Sequence, residues 1–257
     1  MDPKGKVAIV TGSGYGIGRG IARRLAAAGA RVVVNDVHDE HARETVGMIE
    51  KAGGTAAFVH ADVTADEDVR RMITFAEEKF GGLDILVNNA GASYDPPYYP
   101  EADPADWGRV LDIFLRAYMT TMQQAIGVMR QRDGGAIVSI SSAAGVGFRP
   151  DNGWPDYAAA KAAVMRLTAT LAPLKERMNV RVNCICPGWV ATENVRGYLQ
   201  TWTDEQKAQR HVPDPILTPE DIGEAVLELV RDDSLAGRVM LYYIPGQKKL
   251  IPLEVEY

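Results

Sequence analysis

The chain has 257 residues, 46% hydrophobic and 24% charged, enough to bury one large core in an ordinary globular protein. A net charge of -6 offers no basic field to a polyanion, which argues against nucleic acid and for a small-molecule partner. No segment has the apolar length to span a bilayer or the apolar core of a signal peptide, so no membrane contact and a cytoplasmic setting are expected.

The first predicted strand, 7–10, runs into Thr11-Gly12-Ser13-Gly14-Tyr15-Gly16-Ile17-Gly18 and a helix over 16–28. Strand, glycine turn and helix form the context that a dinucleotide-binding turn requires. Gly12 permits the turn, Gly16 and Gly18 let the backbone approach a pyrophosphate, and the helix N-terminus offers free amides. Strand 31–35 ends at Asp36, where a carboxylate accepts hydrogen bonds from adenosine ribose hydroxyls and repels a 2′-phosphate. No Arg or Lys stands at 12–18 and Val37-His38 follow the acid, so the expected cofactor is NAD rather than NADP. The alternative makes Asp36 a cap on the next helix, 40–52.

Strand 55–60 leads past Asp62-Val63 to a helix over 66–80, with Thr64 and Glu67 in capping-box spacing. Strand 83–88 ends in Asn88-Asn89-Ala90-Gly91, and a loop over 93–104 holding Tyr94, Tyr98, Tyr99 and three prolines precedes a helix over 106–130. Strand 136–141 delivers Ser142. Tyr157 and Lys161 then stand four apart at the start of a helix over 157–177, on one face. A phenol with a pKa of about 10 needs a neighbouring cation to act as a base near neutrality, and Lys161 supplies one, while Ser142 is suited to hold a substrate oxygen. The alternative is an ordinary aromatic and a solvated charge. Strand 180–186 carries Cys184 and Cys186, two apart on one face, where they are expected as free thiols. A lid over 193–215, a helix over 219–230 opened by Thr218-Pro219-Glu220-Asp221, and strand 238–244 complete the chain.

This alternation predicts a single α/β domain over 1–257: a doubly wound, mostly seven-stranded parallel sheet with helices on both faces. The loops at 93–104 and 145–156 and the lid follow strand C-terminal ends, where such sheets bind ligands. Tyr94, Tyr98, Tyr99, Phe148, Trp154, Trp189 and Trp202 lie on loops expected at this end of the sheet and point to an apolar pocket for a secondary alcohol or ketone, unless they stack among themselves. Arg149 or Arg196 could pair with a substrate carboxylate, or lie at the surface.

In these motifs the chain resembles the short-chain dehydrogenase/reductase family over almost its whole length. The likeness rests on Thr11-Gly12-x-x-x-Gly16-Ile17-Gly18, Asp62-Val63, Asn88-Asn89-Ala90-Gly91, Ser142, Tyr157-x-x-x-Lys161, and Asn183 through Pro187-Gly188-Trp189-Val190-Ala191-Thr192. It implies a Rossmann fold, NAD as cofactor, no metal, and Ser142, Tyr157 and Lys161 as the catalytic group. It further implies Asp62 and Val63 at the adenine, Asn89 and Ala90 at the adenosine-side ribose and central strand, Gly91 among the cofactor-binding residues, Lys161 at the nicotinamide ribose, and Val190 and Thr192 at the carboxamide, with Pro187-Gly188 in the same motif. A homodimer or homotetramer built on the helices over 106–130 and 157–177 is implied as well.

Three departures stand out. Phe114 occupies the helix position where the family usually has an Asn, which puts the usual proton relay in doubt. The segment between Ser142 and Tyr157 is longer than is common. Tyr242-Tyr243-Ile244-Pro245-Gly246-Gln247-Lys248-Lys249 replaces the common ending and, with Asn183 to Gly188, looks closest to the branch containing 15-hydroxyprostaglandin dehydrogenase. The expected activity is hydride transfer between NAD and an apolar or aromatic secondary alcohol or ketone. The alternatives are a catalytically weak or silent NAD(H)-binding regulatory protein and a biosynthetic ketone reductase.

Overall fold

A computed structural model describes residues 1–92, 97–147 and 154–252. Strands β1 (Val7–Val10), β2 (Arg31–Asp36), β3 (Thr55–His60), β4 (Ile85–Asn88), β5 (Gly135–Ile140), β6 (Val180–Pro187), β7 (Val239–Ile244) and β8 (Gln247–Leu250) form one sheet ordered β3-β2-β1-β4-β5-β6-β7-β8. All neighbouring pairs are parallel except β7 with β8.

Parallel neighbours need crossovers, and helices supply them. In chain order these are α1 (Gly16–Ala27), α2 (Asp39–Lys51), α3 (Asp66–Phe80), α4 (Pro104–Leu111), α5 (Ala117–Met129), α6 (Pro155–Thr170), α7 (Leu174–Met178), α8 (Glu193–Thr201), α9 (Asp204–Gln209) and α10 (Pro219–Arg231). Strand residues alternate between two apolar layers. Ala8 and Val10 pack with Ile21, Leu25, Ile49, Ile222 and Val226 on one face, and Val7 and Ile9 pack with Met72, Ile73, Met122 and Val164 on the other. With both faces covered, β1 is a continuous apolar run. The chain leaves β1 toward β2 on one side and returns to β4 on the other, so the crevice of the sheet opens at the carboxyl ends of β1 and β4.

The structure departs from the boundaries expected from the sequence at several turns and helix ends. The sheet has eight strands rather than seven, because Pro245-Gly246 turns the chain back and Gln247–Leu250 pairs antiparallel along β7 as a lysine-bearing edge. The helix expected over 157–177 starts at Pro155 and stops at Thr170, and α7 follows Pro173, which cannot donate into a preceding turn. The helix expected over 106–130 is interrupted by a π-helical turn, Asp112–Arg116. Thr64 caps nothing: its amide and hydroxyl donate to Asp62 Oδ1 at 2.9 and 2.8 Å, and Ala65 is the N-cap of α3. Thr218 caps α10 as expected, in a box with Asp221. The stretch 193–215 contains α8 and α9, each capped by a threonine hydroxyl, Thr192 or Thr203. Tyr94, Phe148 and Arg149 lie outside the described residues. Cys184 and Cys186 are buried free thiols with sulfurs 4.0 Å apart on one face of β6. Among the described residues no helix is long and apolar enough to cross a membrane.

Candidate active site

The glycine turn is laced to the neighbouring strand end. Thr11 Oγ1 accepts the amides of Asn89 and Ala90 at 3.0 Å each, and Asn89 Nδ2 donates to the carbonyls of Thr11 and Gly12, also at 3.0 Å. Gly12 turns at φ +59° and Gly16 at φ +53°, a region that favours glycine. A Cβ on Gly18 would strike the Gly12 carbonyl oxygen and lie 2.6 Å from Asn89 Nδ2. Helix α1 opens at Gly16 after the N-cap Tyr15, whose side chain makes no capping bond, and no acid stands in the first turn. Its leading amides are therefore set to receive an anion, which the helix dipole favours. Ile17 packs against the core behind the turn.

At the end of β2, Asp36 Oδ2 accepts the Gly14 amide at 2.9 Å and Oδ1 accepts the His38 amide at 3.0 Å. The N-cap of α2 is His38, so the alternative reading of Asp36 as its cap fails. A carboxylate has about four acceptor sites, which leaves capacity for ribose hydroxyls. Val63 is buried with Ala90 and Ala117 beside the same crevice, while Asp62 is exposed and engaged with Thr64.

Beyond β5, Ser142 is extended, and the short 3-10 turn Ala143–Gly145 lies close on α6: a Cβ at Gly145 would be 2.6 Å from the Ala162 nitrogen. Ser141 Oγ donates to the Lys161 carbonyl at 2.7 Å, pinning α6 to β5. The result brings Ser142 and Tyr157 into a side-chain hydrogen bond. Burial raises the Tyr157 phenol above its ordinary value, and the bond with Ser142 pulls it back down. Lys161 is 3% exposed, with Nζ donating to the Ile140 carbonyl at 2.8 Å and to Tyr118 Oη at 3.3 Å. Burial lowers its ammonium to about 7. The Tyr157 ring meets Phe114 edge to face at 4.9 Å and Trp154 at 5.9 Å, and Trp154 meets Tyr98 at 5.4 Å. Tyr118 belongs to no motif in the sequence; its one signal there is that it stands one helical turn beyond Phe114 and so shares its face.

The end of β6 closes the crevice. The Gly188 amide donates to the Tyr242 carbonyl at 2.8 Å, Pro187 is buried at the strand end, and Val190 pairs with Leu217. Thr192 lies against the glycine turn, its methyl 3.3 Å from where a Gly16 Cβ would sit, and Tyr15 Oη donates to Asn194 Oδ1 at 3.0 Å. Motifs far apart in sequence thus converge on one crevice. Gly91 joins them by packing beneath the Phe114 ring. Trp189, just past β6, meets Trp202 of the lid edge to face at 5.7 Å, and Arg196 is bound to the Ala191 carbonyl at 3.1 Å.

A family model described as short chain dehydrogenase matches residues 6–202. The chain is 37% identical over 257 residues to 3beta-hydroxysteroid dehydrogenase 1 of Eggerthella lenta, spanning 98% of this chain and 96% of that protein. It is 36% identical over 248 residues to (+)-borneol dehydrogenase 2 of Salvia officinalis, spanning 90% and 84%. A solved 7 alpha-hydroxysteroid dehydrogenase complexed with NADH and 7-oxo glycochenodeoxycholic acid superposes with a TM-score of 0.84 at 33% identity, covering 95% of this chain and 94% of that one. The family model spans most of the chain, and the relatives and the superposed structure cover nearly all of it: the chain belongs to the short chain dehydrogenase family.

Proposed function

We propose that this protein is an NAD-dependent oxidoreductase that moves hydride between NAD and a secondary alcohol or ketone of apolar or aromatic character, with Tyr157 as acid and base. The observation that carries the reading is the Tyr157 phenol, bonded to Ser142 and placed over the buried Lys161 amino group, whose Nζ is 5.6 Å from the ring centroid. The uncapped, acid-free start of α1 and the tight glycine turn fit a pyrophosphate, and the Asp36 carboxylate fits a ribose without a 2′-phosphate. In this reading Gly12, Tyr15, Gly16, Ile17 and Gly18 seat the phosphates. Asp62 and Val63 border the adenine, and Asn89, Ala90 and Gly91 line the centre. Pro187, Gly188, Val190 and Thr192, with Lys161, hold the nicotinamide end. NAD, when bound, supplies the hydride acceptor and, in reverse, the donor.

In the oxidative direction Ser142 Oγ holds the substrate oxygen, Tyr157 Oη takes the hydroxyl proton, and the electron pair of the adjacent C–H bond leaves as hydride. Since burial makes the Tyr157 phenol a weaker acid, the phenolate depends on the Ser142 hydrogen bond and on positive charge at Lys161. Phe114, Trp154 and Tyr98 form an apolar wall beside the phenol. Relatives named for hydroxysteroids and borneol support an alicyclic alcohol. The likeness of the C-terminal segment to the 15-hydroxyprostaglandin branch adds a hydroxy-lipid as the second class to try. The same reading makes the protein a homodimer or homotetramer through α5 and α6, where Met119 is 49% exposed.

The test is nicotinamide absorbance during incubation with NAD and a panel of alicyclic, steroidal and lipid secondary alcohols. NADH formation that falls about a hundredfold or more in Tyr157→Phe is expected. Turnover that survives the substitution would sink the acid and base assignment. Phe114, whose ring covers Lys161, favours one second reading, an NAD(H)-binding protein with little catalysis. Firm NADH binding without turnover on the whole panel would select it.

A further inference from the structure

The π-helical turn Asp112–Arg116 ahead of α5 presents Phe114 and Tyr118 to α6. Such single turns inside helices occur frequently at functional sites. Phe114 is 7% exposed and Tyr118 is 1% exposed. Lys161 Nζ lies 4.7 Å from the Phe114 ring centroid, over that ring, and 4.9 Å from the Tyr118 ring centroid, on the hydroxyl side. The negative face of an aromatic ring attracts a cation, most strongly where water is excluded.

The hydrogen bonds give this cage a direction. An ammonium only donates, so in the 3.3 Å contact Nζ donates and Tyr118 Oη accepts. The phenol then has one proton to give, and the carbonyls of Ala90 and Ile140 each lie 3.2 Å away. Ile140 also accepts from Nζ at 2.8 Å, whereas among the described residues Tyr118 is the donor to the Ala90 carbonyl. Burial keeps the Tyr118 phenol un-ionised, so it stays both donor and acceptor. The other groups facing Nζ are the thiols of Cys184 and Cys186 on β6 and the ring of Tyr157 on α6.

We propose that Tyr118 is a positioning residue of the reaction: its hydroxyl, anchored on the Ala90 carbonyl, holds the Lys161 amino group and, with the Phe114 ring face, keeps it cationic beneath Tyr157. This rests on the reading of Tyr157 as acid and base. It joins two parts of the site, because the segment that anchors Tyr118 also seats the glycine turn. The Ala90 amide donates to Thr11 Oγ1, while a Cβ on Gly91 would lie 2.6 Å from Phe114 Cε1. The electrostatics under the phenol and the seat of the cofactor are therefore held by the same strand end.

Tyr118→Phe tests the proposal by removing only the hydroxyl and keeping the ring. The ammonium loses an acceptor, so the pKa of Lys161 falls and that of Tyr157 rises. The acid limb of the pH profile of kcat for alcohol oxidation is expected to move alkaline by roughly half a unit or more. At neutral pH kcat falls severalfold, with little change in substrate KM or NADH affinity. In protein labelled with 13C-lysine, the titration midpoint of the Lys161 ε-carbon drops by a similar amount, independently of turnover. Phe114→Leu, which removes a ring face and keeps the hydroxyl, shifts both readouts less and in the same direction, and it stands in if Tyr118→Phe does not fold. An unmoved limb and an unmoved midpoint in a variant that binds NADH normally would overturn the proposal. Activity retained in Tyr157→Phe overturns the acid and base reading instead, so the two failures are distinguishable.

Discussion

Single side chains in this protein serve the fold and the site together. Asp36 holds the Gly14 and His38 amides while offering a negative charge at the end of β2. Replacing it by Ala removes the repulsion toward a 2′-phosphate, so the ratio of kcat/KM for NADP to that for NAD is expected to rise about tenfold or more. Steady-state rates with both cofactors give that ratio directly, and an unchanged value would remove Asp36 from the selectivity argument. Its position was legible because a strand, a glycine turn and an acid at a fixed distance form a local pattern. The role of Tyr118 was not, since a tyrosine in an apolar helix reads as core until Lys161 and the Ala90 carbonyl are brought to it across the sheet.

Helices here are limited by packing as much as by propensity. Helix α1 and helix α10 touch where Gly20 faces Pro219 and Gly223 faces Arg24. A Cβ at Gly20 would lie 2.6 Å from the backbone of Pro219, and one at Gly223 would lie 2.8 Å from Arg24 Cβ. Helix propensity taken alone makes Gly20→Ala stabilising by about 1 kcal/mol. Collision with backbone that cannot swing aside reverses the sign, so a net loss of about 1–2 kcal/mol is expected. A thermal melt should show the midpoint falling by roughly 2–4 °C per kcal/mol, and a rise would refute the packing argument. The unread helices of the lid teach a related lesson. Thr192 and Thr203 are ordinary N-caps, but the helices behind them are only nine and six residues long and bury no residue fully; Val195, Tyr198 and Leu199 give α8 two turns of apolar spacing and α9 has none, too little to set either apart from a loop.

Over the whole molecule, the burial that builds the site also sets how stability depends on pH. Lys161 has a folded pKa of about 7, below its ordinary 10.5, because burial disfavours the ammonium. Between those values the unfolded chain binds more protons, so this residue makes stability rise with pH; below about 7 the cost of burying the charge is fully present. The gain ends where Cys184, Tyr157 and Tyr118, all raised by burial, ionise first in the unfolded chain, from about 9 upward. Urea unfolding of the cofactor-free protein should therefore show increasing stability from pH 7 to about 8.5, and Lys161→Met should flatten that rise. The same slope in the variant would assign the effect to other groups.

The alternation of apolar strands with amphipathic helices, the glycine turn, Asp36 and the Tyr157–Lys161 pair are local patterns, and backbone periodicity and turn chemistry impose them within a few residues of one another. The doubly wound fold and the family followed from those. The eighth strand, the π-helical turn, the contact of Tyr15 with Asn194, and the cage of Phe114 and Tyr118 around Lys161 depend on pairings between segments distant in the chain. Such pairings are settled by which surfaces remain to be buried once the sheet has closed its neighbours, a competition between packed alternatives that no short window of sequence contains.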